Sequence, residues 1–117
     1  MRNLKQVQRK LNRLKVGSEI VFMHDNETFI VRGKKGNFIV ATSETDRKSY
    51  TIIDIDKGFC GPNDRTFNPY NYTKQEDIEQ CLKDFNNPPK DMSDLKISLR
   101  YGGNVEDIFD LKDIVYN

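Results

Sequence analysis

The chain has one histidine, two cysteines and no long apolar run, and its first 16 residues contain no acid. Each shortage removes a class of protein. A membrane-spanning helix needs about 20 consecutive apolar residues, so none is expected. The opening MRNLKQVQRKLNRLK is charged, with neither an apolar centre nor a small-residue cleavage site, and does not read as a secretory leader. Cys60 and Cys81 fit no disulfide framework and no metal-ligand spacing. Reduced thiols in a cytoplasmic protein are the simplest expectation.

Catalytic constellations are equally sparse. The only imidazole is His24, and a Cys60–His24 pair would lack an orienting third group and any marked oxyanion donors. The phosphate-loop signature GxxxxGK followed by Ser or Thr is absent, and Gly58-Phe59-Cys60-Gly61 does not replace it. Asp54, Asp56 and Asp64 could gather around Mg²⁺, but no paired general base accompanies them. Solvated aspartates at a strand end are the plainer reading. No catalytic residue, metal ligand or cofactor is assigned, and the chain is not expected to be an enzyme.

What is present is charge, unevenly placed. The 117 residues suit one domain, and 36% hydrophobic against 32% charged residues implies a modest core under a heavily charged surface. Net charge is +1. Yet Arg2, Lys5, Arg9, Lys10, Arg13 and Lys15 stand unopposed at the start, while the remainder has 13 basic against 18 acidic residues, a net of −5. That asymmetry points to an electrostatic docking segment more than the total does.

Hydrophobic spacing divides the chain into elements. Leu4, Val7, Leu11 and Leu14 recur at three and four residues, which predicts an amphipathic helix over 2–15 with its cations on the other faces, stopped near Gly17. SEIVFMH is strand-like. TFIVR and NFIVATS form a hairpin joined at GKKG, and TSETDRK is a polar turn before the strand SYTIIDI. In that strand Tyr50, Ile52 and Asp54 alternate with Thr51, Ile53 and Ile55, so both faces should be partly covered. A long loop, 56–72, leads to Thr73 and Glu76, a capping box for a helix over 74–86 that buries Ile78, Cys81, Leu82 and Phe85. Pro88 and Pro89 stop it. DLKISLR alternates as a strand, YGGN turns, and DIFDLKDIVYN reads as a closing strand. The expected fold is α+β: residues 18–117 as a small curved antiparallel sheet, of SH3-like barrel type, with the N-terminal helix and one inserted helix over its open ends.

Three surfaces are candidates for partner binding. The basic helix could track a phosphate backbone or meet an acidic protein surface; the plain alternative is a solvated face above a packed stripe. Lys34 and Lys35, with Arg32, lie at the expected hairpin tip, where the alternative is a glycine-driven turn. The 56–72 loop gathers Phe59, Arg65, Tyr70 and Tyr72, residue types that concentrate binding energy at interfaces; the alternative is that its aromatics pack a second core. The apolar stripe of the first helix could also serve a homodimer.

SYTIIDIDKGFCGPND, EDIEQCLKDF and LKISLRYGGNVEDI together resemble small uncharacterised proteins encoded by phages and prophages of Gram-positive bacteria, over roughly residues 50 to 108. The resemblance carries no catalytic residues. It implies a small accessory protein in the cytoplasm of a bacterial host, acting on a host target or against host defence. The expected function is therefore non-enzymatic binding to a host protein or nucleic acid.

Overall fold

The computed structural model describes residues 4–23, 27–56, 59–61, 70–87, 106–107 and 111–117, with backbone alone at 4, 59–61, 106–107 and 111. In chain order the elements are α1 (Leu4–Asn12), β1 (Glu19–Phe22), β2 (Thr28–Lys35), β3 (Phe38–Ser43), β4 (Tyr50–Asp54), β5 (Phe59–Gly61), α2 (Gln75–Asn86), β6 (Glu106–Asp107) and β7 (Leu111–Val115). The strands form one sheet in the order β6-β5-β4-β3-β2-β1-β7, each neighbouring pair antiparallel. Five strands have four or more residues; β5 and β6 are short additions at one edge.

Alternation along the central strands explains the architecture. Ile39, Ala41, Ile53 and Ile55 point to one face, where Val7, Leu11 and Leu14 cover them. Phe38, Val40, Tyr50 and Ile52 point to the other, where Ile78, Cys81, Leu82 and Phe85 of α2 cover them. Every residue of β3 and β4 is buried, the signature of strands covered on both faces. A sheet apolar on both faces needs a layer against each, so α1 and α2 lie on opposite sides. The sheet is not closed: β6 and β7 stand at its two ends. The barrel expectation is corrected on this point, and the helices cover faces, not ends.

A bulge in β2 makes the two-sided packing work. Val31 pairs with Ala41 and Gly33 with Val40, leaving Arg32 as the extra residue. Because side chains alternate with a period of two, one inserted residue reverses the assignment that follows. Phe29 and Val31 before it join the α1 core. After it, a Cβ on Gly33 would meet Leu82 Cδ1 at 2.6 Å and Ile78 Cγ2 at 2.9 Å. Gly33 is thus where α2 presses on the sheet.

Local differences from the sequence reading have local causes. The β2–β3 turn is Gly36-Asn37, not the whole GKKG segment; Lys34 and Lys35 pair with Ile39 and Phe38 inside the ladder. Gly36 alone of the two glycines has positive φ, at 58°. The capping box is not formed: the Thr73 hydroxyl donates to Asn71 Oδ1 at 2.6 Å, and Lys74 is the N-cap without a side-chain cap. The loop expected over 56–72 contains β5, whose Cys60 backbone pairs with Ile53 and Glu106. The helix over 74–86 is observed as Gln75–Asn86, and the closing strand as β7. The strand DLKISLR and turn YGGN lie outside the described residues.

Candidate functional site

Helix α1 carries three cations, Lys5, Arg9 and Lys10, and no acid. Its apolar stripe is committed: Val7 is fully buried and Leu11 nearly so. Their commitment leaves a dimer through this helix only its polar faces. Those faces carry Lys5, Arg9, Lys10 and, just beyond the last turn, Arg13, all exposed. Lys5 and Arg9 are spaced by four and lie on one row, about 6 Å apart along the axis, and Arg13 follows in the turn that ends the helix. Gln8 fixes it to the sheet by donating to the Ile55 carbonyl at 2.9 Å. Lys15 follows as another exposed cation. Arg2 lies outside the described residues.

The C-terminal end of α1 is held by residues distant in sequence. Lys34 Nζ donates to the Asn12 carbonyl at 2.6 Å and the Leu14 carbonyl at 3.4 Å. Helix ends leave carbonyls unpaired and carry partial negative charge, so an ammonium there is stabilising. Burial lowers the Lys34 pKa. Lys34 therefore has an internal task and belongs with α1, whereas Lys35 is exposed and stands on the opposite strand face. The two hairpin lysines do not act from one tip.

Tyr116 is the residue missed by sequence reasoning. Its ring lies under the Arg13 guanidinium, 4.5 Å from Cζ to the ring centre, and its hydroxyl donates to the Lys10 carbonyl at 3.1 Å. Asn117 Nδ2 reaches the Val16 carbonyl at 2.8 Å. An aromatic ring thus joins a basic helix that has none of its own. No local sequence signal marks it: the β7–β1 pairing carries the tail back to Ser18.

The aromatic loop does not assemble a surface from its described residues. Tyr72 is 3% exposed and stacks on Tyr50 at 4.2 Å between ring centres. It is core, and its assignment as a contact residue is corrected. Tyr70 is half-buried, and its hydroxyl donates to Asp84 Oδ2 at 2.8 Å; burial first, then that hydrogen bond, raises its pKa. Tyr70 and Tyr72 pack with Tyr50 on the face of the sheet that α2 covers. Arg65 and the Phe59 side chain lie outside the described residues.

Of the other residues weighed for chemistry, His24, Asp64 and the Cys60 side chain lie outside the described residues. Cys81 is fully buried, 3.7 Å from the Tyr72 hydroxyl. Burial pushes its thiol up to about 12, with the Tyr72 contact opposing and Asp84 adding; a thiol so held is a poor nucleophile. Asp54 is buried at the end of β4 and Asp56 is exposed in the following turn. Among the described residues no three His, Cys, Asp or Glu side chains stand close enough to hold a metal ion. None of the described helices is long and apolar enough to cross a membrane. Searches against protein-family models, curated proteins and solved structures found no match to this chain.

Proposed function

We propose that the chain is a non-enzymatic binding protein that acts by occupying a polyanionic macromolecule, with nucleic acid the partner that α1 fits best. One observation carries the reading: Lys5, Arg9 and Lys10 on the exposed faces of a helix without acids, and Arg13 just beyond its end, are pinned to the sheet by Val7 and Leu11. A rigid row of cations can exchange condensed counterions for phosphates, which drives binding without base recognition. Tyr116 beside Arg13 adds a ring of the kind on which unstacked bases sit. That the macromolecule belongs to a bacterial host, as the resemblance of residues 50 to 108 implies, is part of the same proposal. The packing of Tyr70 and Tyr72 moves weight from the loop to the helix.

The test is fluorescence anisotropy of labelled duplex and single-stranded DNA and RNA with the full chain and with a Lys5→Gln/Arg9→Gln/Lys10→Gln variant. These side chains are exposed, so circular dichroism and melting should be unchanged within about 0.5 kcal/mol per site. Binding by the parent and at least a tenfold loss in the folded variant are expected. Equal binding by both would remove α1 as the docking face. No binding by the parent at low salt would remove nucleic acid.

A further inference from the structure

The end of α1 carries a flat, exposed pair of groups that contact with phosphates alone does not use. Among the described side chains Tyr116 is the one exposed aromatic; Tyr70 is half-buried and the other rings are core. The Arg13 guanidinium lies over the Tyr116 ring, 4.5 Å from Cζ to its centre. The Tyr116 hydroxyl donates to the Lys10 carbonyl at 3.1 Å, in the last turn of α1, where Arg9 and Lys10 are the basic residues. Arg13 is itself exposed, and no carboxylate among the described residues pairs with it.

The ring is placed from both sides along the chain. Before it, Val115 pairs with Glu19 in the β7–β1 ladder. After it, the Asn117 amide donates to Ser18 Oγ at 3.1 Å, and Asn117 Nδ2 to the Val16 carbonyl at 2.8 Å. Ser18 is fully buried, and its Oγ also accepts from the Lys15 amide at 3.1 Å. The ring and the end of α1 therefore share one anchor. A ring ordered before a ligand arrives loses little freedom on binding. The backbone and Asn117 tethers would hold the tail without any aromatic side chain; they do not require an exposed ring with a guanidinium laid on it.

We propose that the Arg13–Tyr116 pair is a stacking site for an unpaired base, which makes the partner of α1 a single-stranded nucleic acid. This rests on the reading of α1 as the polyanion-docking face. A duplex turns its base faces inward against their neighbours and offers α1 only phosphates and base edges. An unpaired base offers a π-face that extends the stack of guanidinium and ring whatever its sequence, while Arg9 and Lys10 meet the phosphates beside it. The strand is DNA or RNA, since that face is common to both.

The experiment is fluorescence anisotropy of the full chain with labelled oligo-dT and a labelled abasic strand of the same length, so that phosphates match and only bases differ. The parent should bind oligo-dT about tenfold more tightly than the abasic strand. That ratio should collapse in Tyr116→Leu, persist in Tyr116→Phe and shrink in Arg13→Lys, which keeps the charge but not the plane. The chain has no tryptophan, so Tyr116→Trp supplies an indole at one known place. Oligo-dT should quench its emission and the abasic strand should not, which decides the matter should Tyr116→Leu fail to fold. The same comparison with oligo-U tells RNA from DNA by the larger ratio, and either supports the stacking site. Equal affinity for both strands, with binding lost in the Lys5→Gln/Arg9→Gln/Lys10→Gln variant, would overturn the stacking site and leave α1 as the docking face. A ratio unchanged in Tyr116→Leu would overturn it too. No binding of either strand by the parent would remove the docking face and the stacking site together.

Discussion

Adding one methyl group at Gly33 sets two effects of known sign against each other. Alanine in a strand interior restricts the unfolded chain and is normally stabilising by about 0.4–1 kcal/mol. Gly33 has no positive φ to forbid it. Against that, the new Cβ would stand 2.6 Å from Leu82 Cδ1 and 2.9 Å from Ile78 Cγ2. Neither can step aside: Leu82 is 4% exposed and Ile78 fully buried, and the Ile78 methyl sits on a β-branched carbon with one strongly preferred helical rotamer. The helix must lift, and overpacking of this kind costs about 1–3 kcal/mol. Gly33→Ala should therefore be destabilising on balance, by about 1–2 kcal/mol. For 117 residues that lowers Tm by about 4–8 °C. Leu82→Ala alone should cost about 2–5 kcal/mol, yet the double variant should lose less than the sum, since the shorter contact is gone. Urea melts of the four proteins measure the cycle. A neutral or stabilising Gly33→Ala, or strict additivity, would refute the close approach of α2 to β2.

Two further tests address individual groups. Cys81 keeps its proton to about 12 in the folded protein against an ordinary 9.0, so the folded state holds more protons between those values and stability must fall as pH rises through them. The difference corresponds to an upper bound of about 4 kcal/mol; Cys81→Ala should flatten the alkaline limb of a stability–pH curve, and an unchanged limb would contradict the burial argument. Lys34→Met should destabilise by about 1 kcal/mol and speed amide exchange in α1, whereas Lys35→Met, at an exposed site, should do neither. Equal effects of the two in urea melts and exchange would show that the Asn12 carbonyl contact is immaterial.

The helices and most strands were legible because their signals are local. The spacing of Val7 and Leu11, or of Ile78, Cys81, Leu82 and Phe85, marks a buried face without any knowledge of what covers it. The alternation in SYTIIDI correctly implied two covered faces, and the same fact argues for layers; a barrel was inferred because strand order was invisible. The bulge at Arg32 has no local signature, so the hairpin turn was placed over GKKG when the ladder continues to Lys35. The capping box failed because Asn71, two residues earlier, captures the Thr73 hydroxyl.

At the candidate sites the gap is wider, for the same reason. Charge asymmetry is what makes α1 a candidate face. Tyr72 carried the residue type of an interface but packs on Tyr50, and composition does not distinguish the two uses. Tyr116 and Arg13 meet only through β7 pairing with β1. Arg47 reaches the Tyr72 carbonyl only once the β3–β4 turn folds over the α2 face.

The most direct test of α1 as a polyanion-docking face is the salt dependence of duplex DNA binding. Anisotropy titrations across a series of salt concentrations should give log K against log salt a slope of about −3 to −4, if the four exposed cations of α1 and its C-terminal end each meet a phosphate. Arg9→Gln should make that slope shallower by about 1 while leaving Tm unchanged. A parent slope near zero, or an Arg9→Gln slope equal to the parent's, would contradict the proposal that the row on α1 is where the polyanion sits.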